Sequence, residues 1–242
     1  MADYNEFGRD ELLRSIQSRG RIGEDRVSGV DLSGVPLRGL GVQDTVLRNV
    51  TLARCELEGA VFQRATLQGA SLRKAILREA TLEDSKLYGC DLIECVLEGA
   101  VLASVRLEGC SLMNSRLERA AFTNCVFEGT DLYGADLRRA RILHGRFRDP
   151  KLAGASLVRV KLERASLLDC DLKEANLRGA DLRGALILSC DLRGANLSGA
   201  DLRGATITSS SLEGANLDGA SLEGLVHGGT RFVHVSTQGA SF

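Results

Sequence analysis

The 242-residue sequence predicts an all-β solenoid, a tube wound from short extended pieces joined by corners. Three observations lead there. Apolar residues recur at every fifth position, a small residue stands two places before each, and glycine is plentiful (27) while proline is scarce (2). Five residues advance an α-helix by about 500°, roughly 140° off the starting face, so leucines at that spacing would spiral around a helix without forming a stripe. On a flat strand an odd spacing throws successive side chains to opposite faces. A short extended piece followed by a corner satisfies the spacing. The small and the apolar residue, two apart, then share the inner face, and glycine after them meets any demand of the turn for positive φ.

Taken in chain order, residues 1–26 read as an N-terminal capping segment. Within it "RDELLRSIQS" (9–18) places Leu12, Leu13 and Ile16 on one helical face and Asp10, Glu11, Arg14 and Gln17 toward water, with Gly20 as the stop. Open solenoid ends recruit strands from other chains, so a helix here is expected to lie over the first coil; a free, partner-binding helix is the rival reading. The terminus has acids from residue 3 onward and no secretory apolar core, and no 18 apolar residues run together, so the expectation is a cytoplasmic chain with no membrane contact.

Residues 27–242 read as one solenoid domain. From Leu32 to Leu222, all 39 positions numbered in 2 or 7 are Leu, Ile, Val or Phe, 31 of them Leu, and no insertion breaks the frame. The last place of the five is Gly in 18 units. Ala at the second inward place fits a narrow tube, which has room for one large side chain per side.

The phrases "ADLRG" (180–184 and 200–204), "ANLRG" (175–179), "ANLSG" (195–199) and "ANLDG" (215–219) resemble the pentapeptide-repeat family, and the resemblance runs over residues 30–242. It implies a right-handed quadrilateral parallel β-helix with four pentapeptides per coil. At about 4.8 Å per coil the rod is then on the order of 50 Å long.

Two places depart from the regular unit. In "HGRFRDPKL" (144–152), Gly145 and Pro150 take inward small places, and Pro150 has no amide hydrogen for the ladder. Either the coil kinks there, or the missing donor faced a corner and was never needed. After Leu222 the frame positions become His227, Phe232, Thr237 and Phe242, which marks the last coil as a candidate open edge and a homodimer contact.

Little chemistry is written in the residues. All seven cysteines (Cys55, Cys90, Cys95, Cys110, Cys125, Cys170 and Cys190) stand in the small inward column, where they read as replacements for Ala. With no CxxC spacing, no His in register and an odd count, neither a metal site nor a disulfide is expected. His144, His227 and His234 pair with no nucleophile, and a convex rod offers no cleft that excludes water, so no enzyme activity and no cofactor are expected.

What remains is the outside. The net charge is −1 and aromatics are 4%, so no global field or stacking surface invites direct nucleic-acid binding. Charge is banded instead. Residues 79–98 set Glu79, Glu83, Asp84, Asp91, Glu94 and Glu98 against Lys86 alone, while residues 136–164 carry nine Lys and Arg against Asp136, Asp149 and Glu163. Arg138, Arg139, Arg141, Arg146, Arg148 and Lys151 thus form a candidate basic collar for an acidic partner or nucleic acid. At the 20-residue coil the resemblance implies, Ile93, Met113 and Tyr133 fall in one outward column with Ile76 and Val96 across the adjoining corner, a candidate partner-binding patch. Leu168, Leu186 and Leu188 form a second group.

The reading is therefore a non-catalytic scaffold that binds a protein through its sides. The resemblance implies one alternative, since quinolone-resistance members of the family bind DNA gyrase in a manner attributed to imitation of duplex DNA. Against it, the four sides sum to −1, +1, −1 and +1, so no side is an acidic stripe, and no loop interrupts the coils.

Overall fold

The computed structural model describes residues 8–23 and 26–242, so residues 1–7 and 24–25 of the expected capping segment lie outside the described residues. Helix α1 (Arg9–Arg19) buries Leu12 and Ile16, half-buries Leu13 and packs on the first strand, Arg21–Gly23. It covers the first coil, as a cap does. Asp10 and Glu11 in its first turn and Arg19 in its last complement the helix dipole. Gly20 ends it at φ 66°, donating its N–H to the Ile16 carbonyl at 2.7 Å. That left-handed conformation is open to glycine without a Cβ penalty.

Beyond the helix the chain is a parallel β-helix of four faces in which each residue pairs with the one twenty positions on. The first face is a sheet of seven three-residue strands, from Arg21–Gly23 to Arg141–Leu143, and the second a sheet of ten, from Arg26–Ser28 to Thr206–Thr208. Columns of single bridges form the other two. The third face runs Asp31, Thr51, Ser71 and onward to Arg231, and the fourth runs Pro36, Glu56, Ile76 and onward to Ser236. The bridges reach Ser241, so the backbone keeps its coil where the side-chain frame has lapsed at His227, Phe232 and Thr237.

All 39 frame residues point inward and none is more than 5% exposed. They form one continuous spine with the small column. The gap left along it between Leu137 and Leu192 is about 10 Å³, the lower limit for a single water. Four phenylalanines fill the frame where leucine does not, and Phe127 and Phe147, paired across neighbouring coils, stack at 4.4 Å between ring centres.

Two kinds of corner close the coil. After a single bridge the corner is a hydrogen-bonded turn, as where Ala75 N–H meets Leu72 O at 2.8 Å. After a three-residue strand it is open, and at three of these corners the amide of the next small residue turns to a side chain one coil along. Ala65 N–H goes to Ser85 Oγ (3.0 Å), Cys170 N–H to Cys190 Sγ (3.4 Å) and Cys190 N–H to Ser210 Oγ (3.0 Å). Pro150 occupies the column of Cys170 and Cys190, so its missing donor takes no bond from the backbone ladder. Its carbonyl still accepts from Asp171 N–H at 3.1 Å. A change of geometry does occur beside it, because past Arg141–Leu143 the first face continues as single bridges from Lys161.

The corner residue has positive φ in every one of the 39 units, whether it is Gly or one of the 21 others such as Arg54, Lys74, Ser104 and His144. Gly in 18 units is therefore a relief of a strain that the rest carry. A left-handed non-glycine residue costs about 1–2 kcal/mol.

Candidate interaction surface

Each unit offers the solvent three places: the residue before the frame position and the two after it. The first two are commonly half-buried and the corner stands clear. Side chains in one such column are one coil spacing apart, so the surface is a grid whose contents the sequence is free to choose.

On the third face Ile93, Met113 and Tyr133 stack in successive coils, tied by Glu94 N–H to Met113 O (2.9 Å) and Asn114 N–H to Tyr133 O (3.0 Å). Ile76 and Val96 pair in parallel on the fourth face. Tyr133 is 52% exposed and the other four are half-buried. Around them run ion pairs: Arg73 with Asp91 (3.1 Å), Lys74 with Glu94 (3.2 Å), and Arg78 and Arg116 both on Glu98. An apolar centre within a charged rim is the anatomy of a protein interface. The second apolar group lies on the second face, with Leu186 exposed and Leu168 and Leu188 half-buried.

The basic collar encircles the rod. Arg138 and Arg139 stand on the fourth face, Arg141 on the first, Arg146 and Arg148 on the second and Lys151 on the third. Its members are not equivalent. Arg138 is occupied by Asp136 (2.6 Å) and Glu118 (3.4 Å), whereas the other five make no ion pair among the described residues. In the acidic band, Asp91, Glu94 and Glu98 are paired with cations of adjoining coils, while Glu79, Glu83 and Asp84 make no ion pair among the described residues. The two bands thus differ in what they leave free.

Inside, the seven thiols do more than stand in for Ala. Cys95 Sγ donates to Leu72 O at 2.7 Å and Cys55 Sγ to Leu32 O at 2.9 Å, so the thiol binds neighbouring coils together. Burial pushes Cys95 up to about 12 and Cys125 up to about 11 from the usual 9, which keeps both as unreactive thiols at neutral pH. No three His, Cys, Asp or Glu converge as metal ligands among the described residues. His144 is exposed on a corner, and His227 packs edge-on against Phe232 at 5.3 Å between ring centres. Beside it Leu222, Leu225, Val235 and Phe242 line an apolar recess of about 520 Å³ at the last coil, with Phe242 81% exposed.

Sequence reasoning passed over one recurring signal, the Asp or Asn before the frame leucine in "ADLRG" and "ANLSG". Its side-chain oxygen accepts the N–H two residues on, as in Ser198 N–H to Asn196 (3.0 Å) and Tyr133 N–H to Asp131 (3.0 Å). Where Arg follows, a salt bridge is added: Asp181 with Arg183 (2.8 Å), Asp191 with Arg193 (2.7 Å) and Asp201 with Arg203 (2.6 Å). Hydrogen bonds from Arg193 hold the Asp191 carboxyl down at about 2. These acids serve the corner and are not a free charged surface.

Two family profiles match the chain, one described as a pentapeptide repeat region over residues 100–177 and one as pentapeptide repeats (8 copies) over 43–79, 80–119 and 189–224. No curated protein matches it. Among solved structures it is similar to HetL, a pentapeptide repeat protein involved in heterocyst differentiation regulation in the cyanobacterium Nostoc sp. strain PCC 7120, with 27% identity over 97% of both chains and a TM-score of 0.42. QnrB1, a plasmid-mediated fluoroquinolone resistance protein, shares 19% identity over 69% of this chain and 91% of its own, with a TM-score of 0.30. A pentapeptide repeat protein of the Arabidopsis thaliana thylakoid lumen shares 25% over 41% and 66%, with a TM-score of 0.32. No helix among the described residues is long and apolar enough to cross a membrane.

Proposed function

Since the chain belongs to the pentapeptide-repeat family, whose fold is a stack of coils with a packed interior, we propose that it works as a non-catalytic β-helical scaffold that binds a partner protein along its sides. The partner seats on the strip formed by Ile76, Ile93, Val96, Met113 and Tyr133. The observation that carries this reading is the contiguity of the strip over successive coils inside a rim of ion pairs. Scattered surface apolar residues are ordinary, but a connected set with one large exposed aromatic at its end is the composition of a binding surface. The non-catalytic part is supported by the burial of all seven thiols and by the filled spine between Leu137 and Leu192, whose gap holds no more than a single water.

The test is the double substitution Ile93→Ser and Met113→Ser in the affinity-tagged chain. Partner recovery from a lysate of the source cells, quantified by mass spectrometry, falls at least tenfold while the thermal melt is retained; undiminished recovery rejects the strip. A supercoiling assay with and without a gyrase poison addresses DNA gyrase as the occupant, and the scaffold reading predicts no change in either. Sedimentation at several concentrations addresses a homodimer through the last-coil recess, which a constant monomer mass rejects.

A further inference from the structure

Ten arginines of the rod are closely engaged. Arg38, Arg64, Arg73, Arg78, Arg106, Arg116, Arg138, Arg183, Arg193 and Arg203 each hold a carboxylate within 3.2 Å. On the fourth face, where Arg38, Arg78, Arg116 and Arg138 are paired, the pairing stops after Arg138. Arg139, Arg159 and Arg178 line a groove of about 410 Å³ and make no ion pair among the described residues. Arg139 and Arg159 occupy corners of successive coils, with φ of 59° and 56°, and Arg178 stands beside the next corner. At that corner and the one after it the column changes to Gly179 and Gly199, which with Val158 and Ser198 complete the lining. An added Cβ on Gly199 would meet nothing within 4 Å, while one on Gly179 would touch Arg159 Cγ at 3.5 Å, which shows the Arg159 stem lying along the rod toward the glycines. Glu118, the acid at the groove's edge, is held by Arg138 and Arg119.

We propose that this groove binds an acidic segment of a partner protein, an extended stretch carrying several carboxylates. Guanidinium forks suit carboxylate geometry, and three of them over three coils give a charged track about 10 Å long at a coil spacing of about 4.8 Å, which an extended peptide covers with three to four residues. No aromatic side chain lines the groove, so the stacking platform a single-stranded nucleic acid uses is missing. The chain's net charge of −1 gives no global attraction for polyanions, so binding must be local to these residues. The inference goes beyond the apolar strip and stands on different residues, so either can fail alone.

The experiment is fluorescence anisotropy of the full chain with a labelled octa-glutamate peptide at low salt, with a labelled oligothymidylate of equal charge as the rival probe. The peptide binds, and more tightly than the oligonucleotide. The triple substitution Arg139→Gln, Arg159→Gln, Arg178→Gln weakens it at least tenfold. Arg146→Gln, Arg148→Gln, Lys151→Gln removes the same charge from other faces and changes the affinity less than threefold. Ser198→Glu, which adds a repelling charge to the lining and removes no cation, weakens binding at least threefold. Absence of peptide binding, equal loss in the two triple variants, an unaffected Ser198→Glu, or tighter binding of the oligonucleotide each overturns the assignment.

Discussion

Gly145→Ala tests the packing account at the least regular coil. Gly145 holds an inward small place where Ala is the commonest residue, so from the repeat alone the change looks harmless. The structure says otherwise. A Cβ there overlaps the Ile142 Cγ2 methyl and stands 3.3 Å from Phe147 Cε2. Phe147 cannot withdraw freely, since it stacks at 4.4 Å on Phe127, which in turn lies 5.4 Å from Phe122. Overpacking of this kind costs about 1–3 kcal/mol, which for a chain of this length lowers the melting temperature by roughly 2–12 °C. Ile142→Leu removes the branched methyl that collides and restores the residue most frame positions use. The double variant should regain at least half of the loss, a coupling that a double-mutant cycle by chemical denaturation reads directly. If Gly145→Ala melts like the wild type, or if Ile142→Leu adds its own loss without rescue, the packing described at this coil is wrong.

Three further outcomes follow from the corners and the buried thiols. Pro150→Ala changes stability by less than about 1 kcal/mol in urea denaturation, because the amide it restores has no ladder partner to meet; a gain well above that returns the missing bond to the ladder. Ser104→Gly, at a corner with φ 55° and no side-chain partner among the described residues, raises stability by about 1 kcal/mol through relief of the left-handed strain, and a loss refutes it. The folded-state values of Cys95 and Cys125 are raised, so the stability they confer is complete below pH 9, where unfolded thiols stay protonated, and is lost as pH rises toward 11–12. Midpoints of urea unfolding between pH 7 and 11 should hold to about 9 and then fall, and a midpoint that rises above pH 9 contradicts the burial of these thiols as neutral groups.

The solenoid was legible because its determinant is one-dimensional. Leu32 to Leu222 keep one spacing without a slip, and no helix or flat sheet accepts that spacing. The helix over 9–18 was legible for the usual reasons, an apolar face and a terminal glycine. The corners were legible only in part. Glycine announced a possible positive φ, but Arg54, Lys74 and His144 adopt it as well, and propensity does not reveal a conformation that the stacking of coils imposes. At Pro150 the sequence left open a kink or an unneeded donor, and Cys170 and Cys190, in its own column, show where such amides go. Surface charge depended on a neighbour twenty or eighteen residues away, as in Lys74 with Glu94 and Arg73 with Asp91, so half of the band of acids in the sequence is paired in space.

The claim that a protein partner seats on the third and fourth faces is tested most directly by site-specific photo-cross-linking in the source cells, with a photoreactive benzoylphenylalanine in place of Tyr133 and, as the control, in place of Leu143, which is exposed on the opposite first face. The account predicts one protein adduct from position 133 that is lost with Ile93→Ser and Met113→Ser, and none from position 143. Adducts of the same protein from both positions, or from position 143 alone, contradict it.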